Sequence, residues 1–287
     1  MRRHALARFA ALCLLGMAVS IPFLWMVSAS FKPLREVESI NIVPKEPTRH
    51  NYPVVLEREK DAAKNLYLFK KDEQDYPRFP RWYLNSFLLA FGITLMQVLT
   101  SAMAAYAFAR MQWRGRDQVF FLYLATMMIP GVVTMIPNFR IMVALDFLNT
   151  YHGLMLPAAF SAFGTFLLRQ FMLSIPASMD EAATIDGASH WQIFWEVVLP
   201  LSRPGLIALA IMTFLGAYQS FFWPLVMLTE EQLLTLPIGM LSLDSSYGRQ
   251  TEFIMAATVM NIAPLIIIFC VFQKFLVKGL QLGGVKG

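Results

Sequence analysis

Charged side chains are scarce in this chain. Asp, Glu, Lys and Arg together make up 15% of its 287 residues, against about 25% in an ordinary soluble domain. The deficit is concentrated in six runs, 9–31, 82–109, 118–139, 147–168, 204–229 and 253–273, each longer than 20 residues and free of all four. Cysteine is nearly absent too. The two present, Cys13 and Cys270, both lie inside such runs, so they build no disulfide framework and say nothing about redox compartment. The four histidines, His4, His50, His152 and His190, are scattered without ligand spacing, so no metal site and no catalytic group is expected. No GxxxxGK[ST] loop is present to cradle a nucleotide's phosphates, and the terminal "GGVKG" has neither that spacing nor its strand–helix context. The chain is therefore not expected to bind or hydrolyse ATP itself, and it should be no enzyme.

What fills the space is apolar: 57% of residues are hydrophobic and the mean hydropathy is +0.52. A membrane helix needs about 20 such residues to cross about 30 Å of hydrocarbon. Only helices or closed barrels satisfy the backbone there, and the runs lack the period-2 alternation of a barrel. The expected class is an all-α membrane protein with six transmembrane helices; the stretch 232–243 is too short to span. The first run begins "MRRHALARFAALCLLGMAVSIPFLWMVSA", which has the basic start of a signal peptide. Its apolar part is longer than the ordinary 7–15 residues of such a peptide, which predicts a retained signal-anchor.

Basic residues set the orientation. With the N-terminus inside, Arg2, Arg3, Arg8, Arg110, Arg114, Arg116, Arg169, Arg203, Lys274, Lys278 and Lys286 fall on the cytoplasmic side. The short outer loops then hold only Arg140 and Arg249. Both termini are expected inside. The net charge of +5 reflects these collars facing anionic membrane lipid, with no nucleic-acid partner implied.

Three regions follow: residues 1–31 as tail and first span, 32–81 as an extracytoplasmic insert, and 82–287 as the core. The insert holds eleven basic and nine acidic residues between several prolines. It reads either as a solvated outer loop or as a docking surface for an extracytoplasmic partner. Pro130 and Pro137 predict a kink in or just after the third span, beside a pathway or from packing alone. At membrane depth the polar groups are amides and hydroxyls, such as Thr94, Thr100, Ser101, Ser161 and Thr165. A translocation path would draw on Gln97, Tyr218, Gln219, Ser220 and Asn261, with Trp223 beside them. Such groups suit a neutral polyhydroxylated solute, and equally suit hydrogen bonds between helices. The lack of charge at depth argues against a proton- or sodium-coupled carrier.

One passage stands apart. "DEAATIDGASHWQIFWEVVLPL", residues 180–201, carries four carboxylates between two apolar runs. Ser178 with Glu181 and Ser189 with Gln192 are spaced as capping boxes. Gly187 is placed as a helix stop, and Pro200 and Pro204 are placed to end the second helix. A helix–Gly–helix unit is expected over 174–204, with Ile193, Phe194 and Val197 as its apolar stripe. It is either an amphipathic pair lying on the membrane or a rigid knob gripped by a soluble partner.

The segment Glu181–Leu201 resembles the EAA loop of ABC-importer permeases, with Glu181, Ala182, Ala183, Gly187, Ile193, Leu199 and Pro200 at its anchor positions and Asp186 beside the glycine. "FLLRQFMLSIPASMDEAATIDGAS", "MTFLGAYQSFFWPLVML", "TLPIGMLSL", "RWYLNSFLLA" and "FQKFLVKGLQLGGVKG" are similar to the carbohydrate, maltose-type permeases over residues 82–287. One departure is Gln219–Ser220, where that family often has Asn-Asp. The resemblance implies a coupling loop between spans 4 and 5, seated in a cytoplasmic ATPase. It implies a second, unlike permease subunit, two ATPase subunits that bind ATP and Mg, and an extracytoplasmic solute-binding protein. It also implies a bacterial or archaeal inner membrane, a sugar or related polyhydroxy solute (alternatively a polyol or glycerol phosphodiester), and a 274–287 tail whose Leu282, Gly283, Gly284 and Lys286 reach toward the ATPase.

Overall fold

The computed structural model describes residues 2–37, 39, 41–56, 78–245 and 251–284, with side chains at 2–7, 242–245 and 275–284 left aside. Every regular element among them is helical. In chain order these are α1 (Arg2–Ala29), α2 (Leu34–Val37), α3 (Asn51–Val55), α4 (Arg78–Ala109), α5 (Arg116–Ala125), α6 (Gly131–Ala144) and α7 (Tyr151–Ala158). Then come α8 (Ala162–Ser174), α9 (Ser178–Ile185), α10 (His190–Leu201), α11 (Arg203–Tyr218), α12 (Phe222–Met227), α13 (Leu236–Ser245) and α14 (Thr251–Gly284).

Three stretches are long and apolar enough to cross a membrane: Arg8–Ala29, Arg78–Ala109 and Thr251–Lys274. Three further candidates are bent pairs of helices, the last of which joins the second helix of the 174–204 unit to the expected fifth span. Arg116–Met128 and Gly131–Ala144 meet at 98°, Tyr151–Ala158 and Ala162–Ser174 at 45°, and His190–Leu201 and Arg203–Tyr218 at 77°. The candidate spans therefore number three, or six if each bent pair counts as one. The first break has a local cause. A residue before proline is pushed out of the helical region, and Ile129 before Pro130 is extended at φ −81°, ψ 117°. The second break is made by Ser161, extended at φ −136°, whose Oγ accepts from Gly164 N and restarts the helix. At the third, Ser202 donates back to the Val198 carbonyl and accepts from Leu206, with Pro204 in the first turn of α11.

The chain forms two compact units. One comprises residues 1–83 and 236–264, the other 84–235 and 265–287. In the first, Val54, Val55, Phe79, Trp82, Leu236, Ile238, Phe253, Ala256 and Ala257 are buried. Just beyond α1 the Asn51 amide donates to the carbonyls of Ser30 and Lys32 at 2.9 Å each. Lys32 is itself fully buried and donates to the carbonyls of Ser39 and Asn41. Part of the 32–81 insert is thus an ordered cap on the end of α1, held by satisfied backbone groups; residues 57–77 of the insert lie outside the described residues.

In the second unit, α4 serves two apolar clusters. Leu89 and Ile93 pack with Met142, Leu154, Met227 and Leu228. Ala102, Ala105 and Tyr106 pack with Leu168, Phe171, Met172, Ile193, Phe194, Val198 and Leu209. The centres, near residues 91 and 105, lie about 20 Å apart along a helix rising 1.5 Å per residue. Small side chains on α4 let α8, α10 and α11 approach, which is how helices associate where lipid is as apolar as they are.

Candidate functional site

The expected helix–Gly–helix unit is present, with one corrected end. Helix α9 ends on Gly187 at φ +83°. The Gly187 amide donates to the Thr184 carbonyl at 3.1 Å and Ala188 to Ala183 at 2.9 Å, the paired bonds of a Schellman turn. Two residues on, Ser189 and Gln192 form a complete capping box: Gln192 N to Ser189 Oγ at 3.3 Å, and Ser189 N to Gln192 Oε1 at 2.8 Å. Ser178 does not cap α9. The turn opens earlier, with Met179, Asp180 and Glu181 donating to the carbonyls of Pro176 and Ala177, so Ser178 is already inside the first turn.

Pro200 does not end α10, because the helix runs through it to Leu201. Residues Ile193–Val198 form a π-helical stretch. A proline cannot donate to the preceding turn and its ring crowds that turn's carbonyl, and a wider turn just upstream accommodates both. The same widening brings Val198, rather than Val197, fully into the core beside Ile193 and Phe194.

The buried side of the unit is tied to α4. Arg110 directly follows α4, and its amide still donates to the Tyr106 carbonyl at 2.8 Å. Its side chain is only 8% exposed, with Nη1 3.4 Å from Asp180 Oδ2. Nη2 donates to the Ile175 carbonyl at 2.8 Å. Tyr106 Oη and His190 Nδ1 are 3.4 Å apart. Tyr106, Arg110, Asp180, Glu181, Thr184, Ile185, His190 and Ile193 line a recess of about 540 Å³. A second cation, Arg169, donates to the Phe108 carbonyl at 3.2 Å and stands 4.2 Å over the Phe120 ring. The other side is open: Glu181, Ala182, Asp186 and Gly187 are exposed, Ala183 packs inward, Leu199 and Pro200 are half-buried, and Ile185 is 86% exposed.

The proposed path residues divide. Gln97, Ser220 and Trp223 line one cavity of about 300 Å³, with Leu89, Met212 and Thr213 among its other walls. Gln97 Nε2 donates to Thr213 Oγ1 at 3.0 Å, and Trp223 Nε1 to the Gly153 carbonyl at 3.1 Å. Ser220 and Trp223 also line a neighbouring cavity of about 780 Å³ with Gly131, Pro157 and Phe222. Tyr218 is buried against Phe214, ring centroids 5.9 Å apart, and lines neither cavity. Gln219 is exposed and also lines neither, and Asn261 belongs to the other unit. Leu282, Gly283 and Gly284 continue α14 as helix, and Lys286 lies outside the described residues. The sequence reading missed Arg110 and Asp180 as a pair, having counted the first as part of a basic collar and the second as a helix-start charge.

Residues 97–281 match the family of binding-protein-dependent transport system inner membrane components. The chain belongs to that family. Among its relatives, the arabinooligosaccharides transport system permease protein AraQ of Halalkalibacterium halodurans is 34% identical over 93% of this chain and 91% of that protein. The sn-glycerol-3-phosphate transport system permease protein UgpE of Yersinia pestis is 36% identical over 69% of this chain and 71% of that one. The fold is that of a chain from a bacterial ABC transporter involved in importing the acidic polysaccharide alginate. The TM-score to it is 0.81, covering 95% of this chain and 96% of that chain at 24% identity. Membership of the family makes this an inner-membrane transport component of permease type.

Proposed function

We propose that this chain is one of two unlike membrane subunits of an ATP-driven importer that carries a sugar or related polyhydroxy solute. An extracytoplasmic solute-binding protein delivers the solute, and two cytoplasmic ATPase subunits bind ATP and magnesium. In this reading the chain has six spans in a bacterial or archaeal cell membrane, with both termini inside. Residues 32–81 are extracytoplasmic, and residues 82–287 form the permease core. The unit 174–204, between spans 4 and 5, is the coupling loop, with Glu181, Ala182, Ala183, Asp186, Gly187, Ile193, Leu199 and Pro200 as its defining residues. Leu282, Gly283, Gly284 and Lys286 of the tail face the ATPase.

One observation carries the coupling role. A short element fixed by a Schellman turn and a capping box leaves Met179, Ile185 and Trp191 exposed, Ile185 by 86%. A stiff knob with an apolar tip and a rim of Glu181 and Asp186 fits a cleft in a soluble partner, where central apolar groups anchor binding and a polar rim excludes water. The wall residues of the 300 Å³ cavity carry no charge and offer Gln97, Thr213, Ser220 and Trp223. That lining supports a neutral solute. The match to a glycerol-3-phosphate permease supports the polyol or phosphodiester alternative.

The test is to tag the chain, extract it mildly from its native membrane and identify what co-purifies. An ATPase and a second permease are expected. A chain that emerges alone and still moves solute in liposomes is instead a self-sufficient carrier or channel, and the proposal fails.

A further inference from the structure

Helix α9 must pass its displacement to the membrane helices through some physical contact, and its short apolar face offers little. Ala183 is its packed residue, while Ala182, Thr184 and Ile185 are exposed. The polar contact is stronger. Arg110 reaches from the end of α4 to Asp180 in the first turn of α9 and, through its second nitrogen, to the Ile175 carbonyl between α8 and α9. Its backbone remains bonded into the last turn of α4.

We infer that Arg110 is a positioning residue, the strut by which movement of α9 is transmitted to α4, and that Asp180 is its required counter-charge. The inference rests on the coupling role proposed above for residues 174–204. Two features support a strut over an ordinary surface pair. The Arg110 side chain is 8% and the Asp180 side chain 21% exposed, so salt screens the pair less than it would a surface pair. The guanidinium is planar and forked, and holds two partners in fixed geometry as a lysine ammonium would not. Nη1 and Nη2 thus join Asp180 and the Ile175 carbonyl to the end of α4 at once, so α9 and the turn before it are tied to α4 through one rigid group.

The experiment uses the full assembly, with this chain, the partner permease, both ATPases and the solute-binding protein, in proteoliposomes. Solute taken up per ATP hydrolysed is measured. Arg110→Gln should still assemble with the ATPase and still hydrolyse ATP, with uptake per ATP falling at least fivefold. Arg110→Lys should restore part of the ratio, and the exchanged pair Arg110→Asp with Asp180→Arg should restore more than either single reversal. A native ratio in Arg110→Gln overturns the strut. So does a lowered ratio that Asp180→Asn does not share and the exchange does not repair. If Arg110→Gln fails to assemble, Asp180→Asn decides: a lowered ratio supports the pair and a native one overturns it. Gly187→Pro is run beside them. If it uncouples while the Arg110 variants do not, only the strut fails. If none of these variants uncouples, the coupling role of 174–204 fails with it.

Discussion

Replacing Gly187 separates two accounts of why a glycine stands between α9 and α10. In one, the backbone needs it: φ is +83°, and the two Schellman bonds depend on that left-handed residue. In the other, a docking partner needs the absence of a side chain. Within the chain itself a Cβ at position 187 meets nothing within 4 Å, so any cost of alanine here is conformational. An L-residue in the left-handed region pays about 1–2 kcal/mol, and asparagine pays less. This chain already uses Asp146 at φ 57° and Asn149 at φ 54°. Proline is worst, because its ring fixes φ near about −65°. It also removes the N–H given to Thr184, a bond of about 1 kcal/mol.

The backbone account therefore predicts the order Gly, Asn, Ala, Pro in solute moved per ATP. A penalty of about 1–2 kcal/mol shifts the population of the turn by roughly 5- to 30-fold, so alanine should be clearly impaired and proline uncoupled, with membrane insertion intact in all. The assay is ATP-driven uptake and ATP hydrolysis measured on the same proteoliposomes. The steric account orders the variants by size, with alanine ahead of asparagine. That order would refute the backbone reasoning, and native coupling in Gly187→Pro would sink the knob altogether.

Glu181→Lys places a cation in the positive first turn of α9, an error of about 1 kcal/mol at most in the helix itself, but reverses the charge of the exposed rim. Uptake should be lost while the chain still reaches the membrane, as shown by fractionation; normal uptake would count against a docking role for that face. Gly239→Ala puts a Cβ 2.2 Å from the Trp82 ring, and overpacking of this kind costs about 1–3 kcal/mol. The detergent-extracted chain should unfold at lower temperature, with part of the loss recovered by adding Trp82→Phe; an unchanged unfolding temperature would show that the ring has room to move. Removal of residues 283–287 should weaken solute-stimulated ATP hydrolysis, and unchanged turnover in the truncated assembly would exclude the tail from coupling.

Features set by local chemistry were legible in the sequence. Gly187 at a positive φ and the Ser189–Gln192 box follow from side-chain types at fixed spacing, and both are formed. Ser178 had the right spacing too, but Pro176 opens the turn early, and a cap position is defined by the backbone more than by the hydroxyl. The kink expected from Pro130 is present, a 98° turn within the charge-free stretch 118–139, whereas the bends at Ser161 and Ser202 left no comparable mark in the sequence. The π stretch in α10 left no trace in the pattern: Val197, named in the stripe, does pack half-buried against the cluster, but Val198 is the fully buried neighbour. Arg110 was hidden for a different reason. Its partner is 70 residues away in the sequence, at Asp180, and positive charge at a span's end has an adequate explanation in topology alone.

The breaks in the helices and the position of the larger cavity have one explanation. In hydrocarbon a backbone group freed from its helix must find a partner, so irregular backbone is tolerated only where it is enclosed by protein or lines a watery space. Three interruptions of the second unit fall at Ile129–Pro130, around Phe160–Ser161, and at Gln219–Phe221, while the 77° bend at Ser202 lines no part of the larger cavity. Gly131 and Val132 follow the first, Pro157 and Ala158 precede the second, and Ser220, Phe221 and Phe222 sit on the third; all seven line the cavity of about 780 Å³. The straight part of α4 contributes no residue to that cavity. These interruptions therefore bring backbone ends, rather than charged side chains, to one open recess.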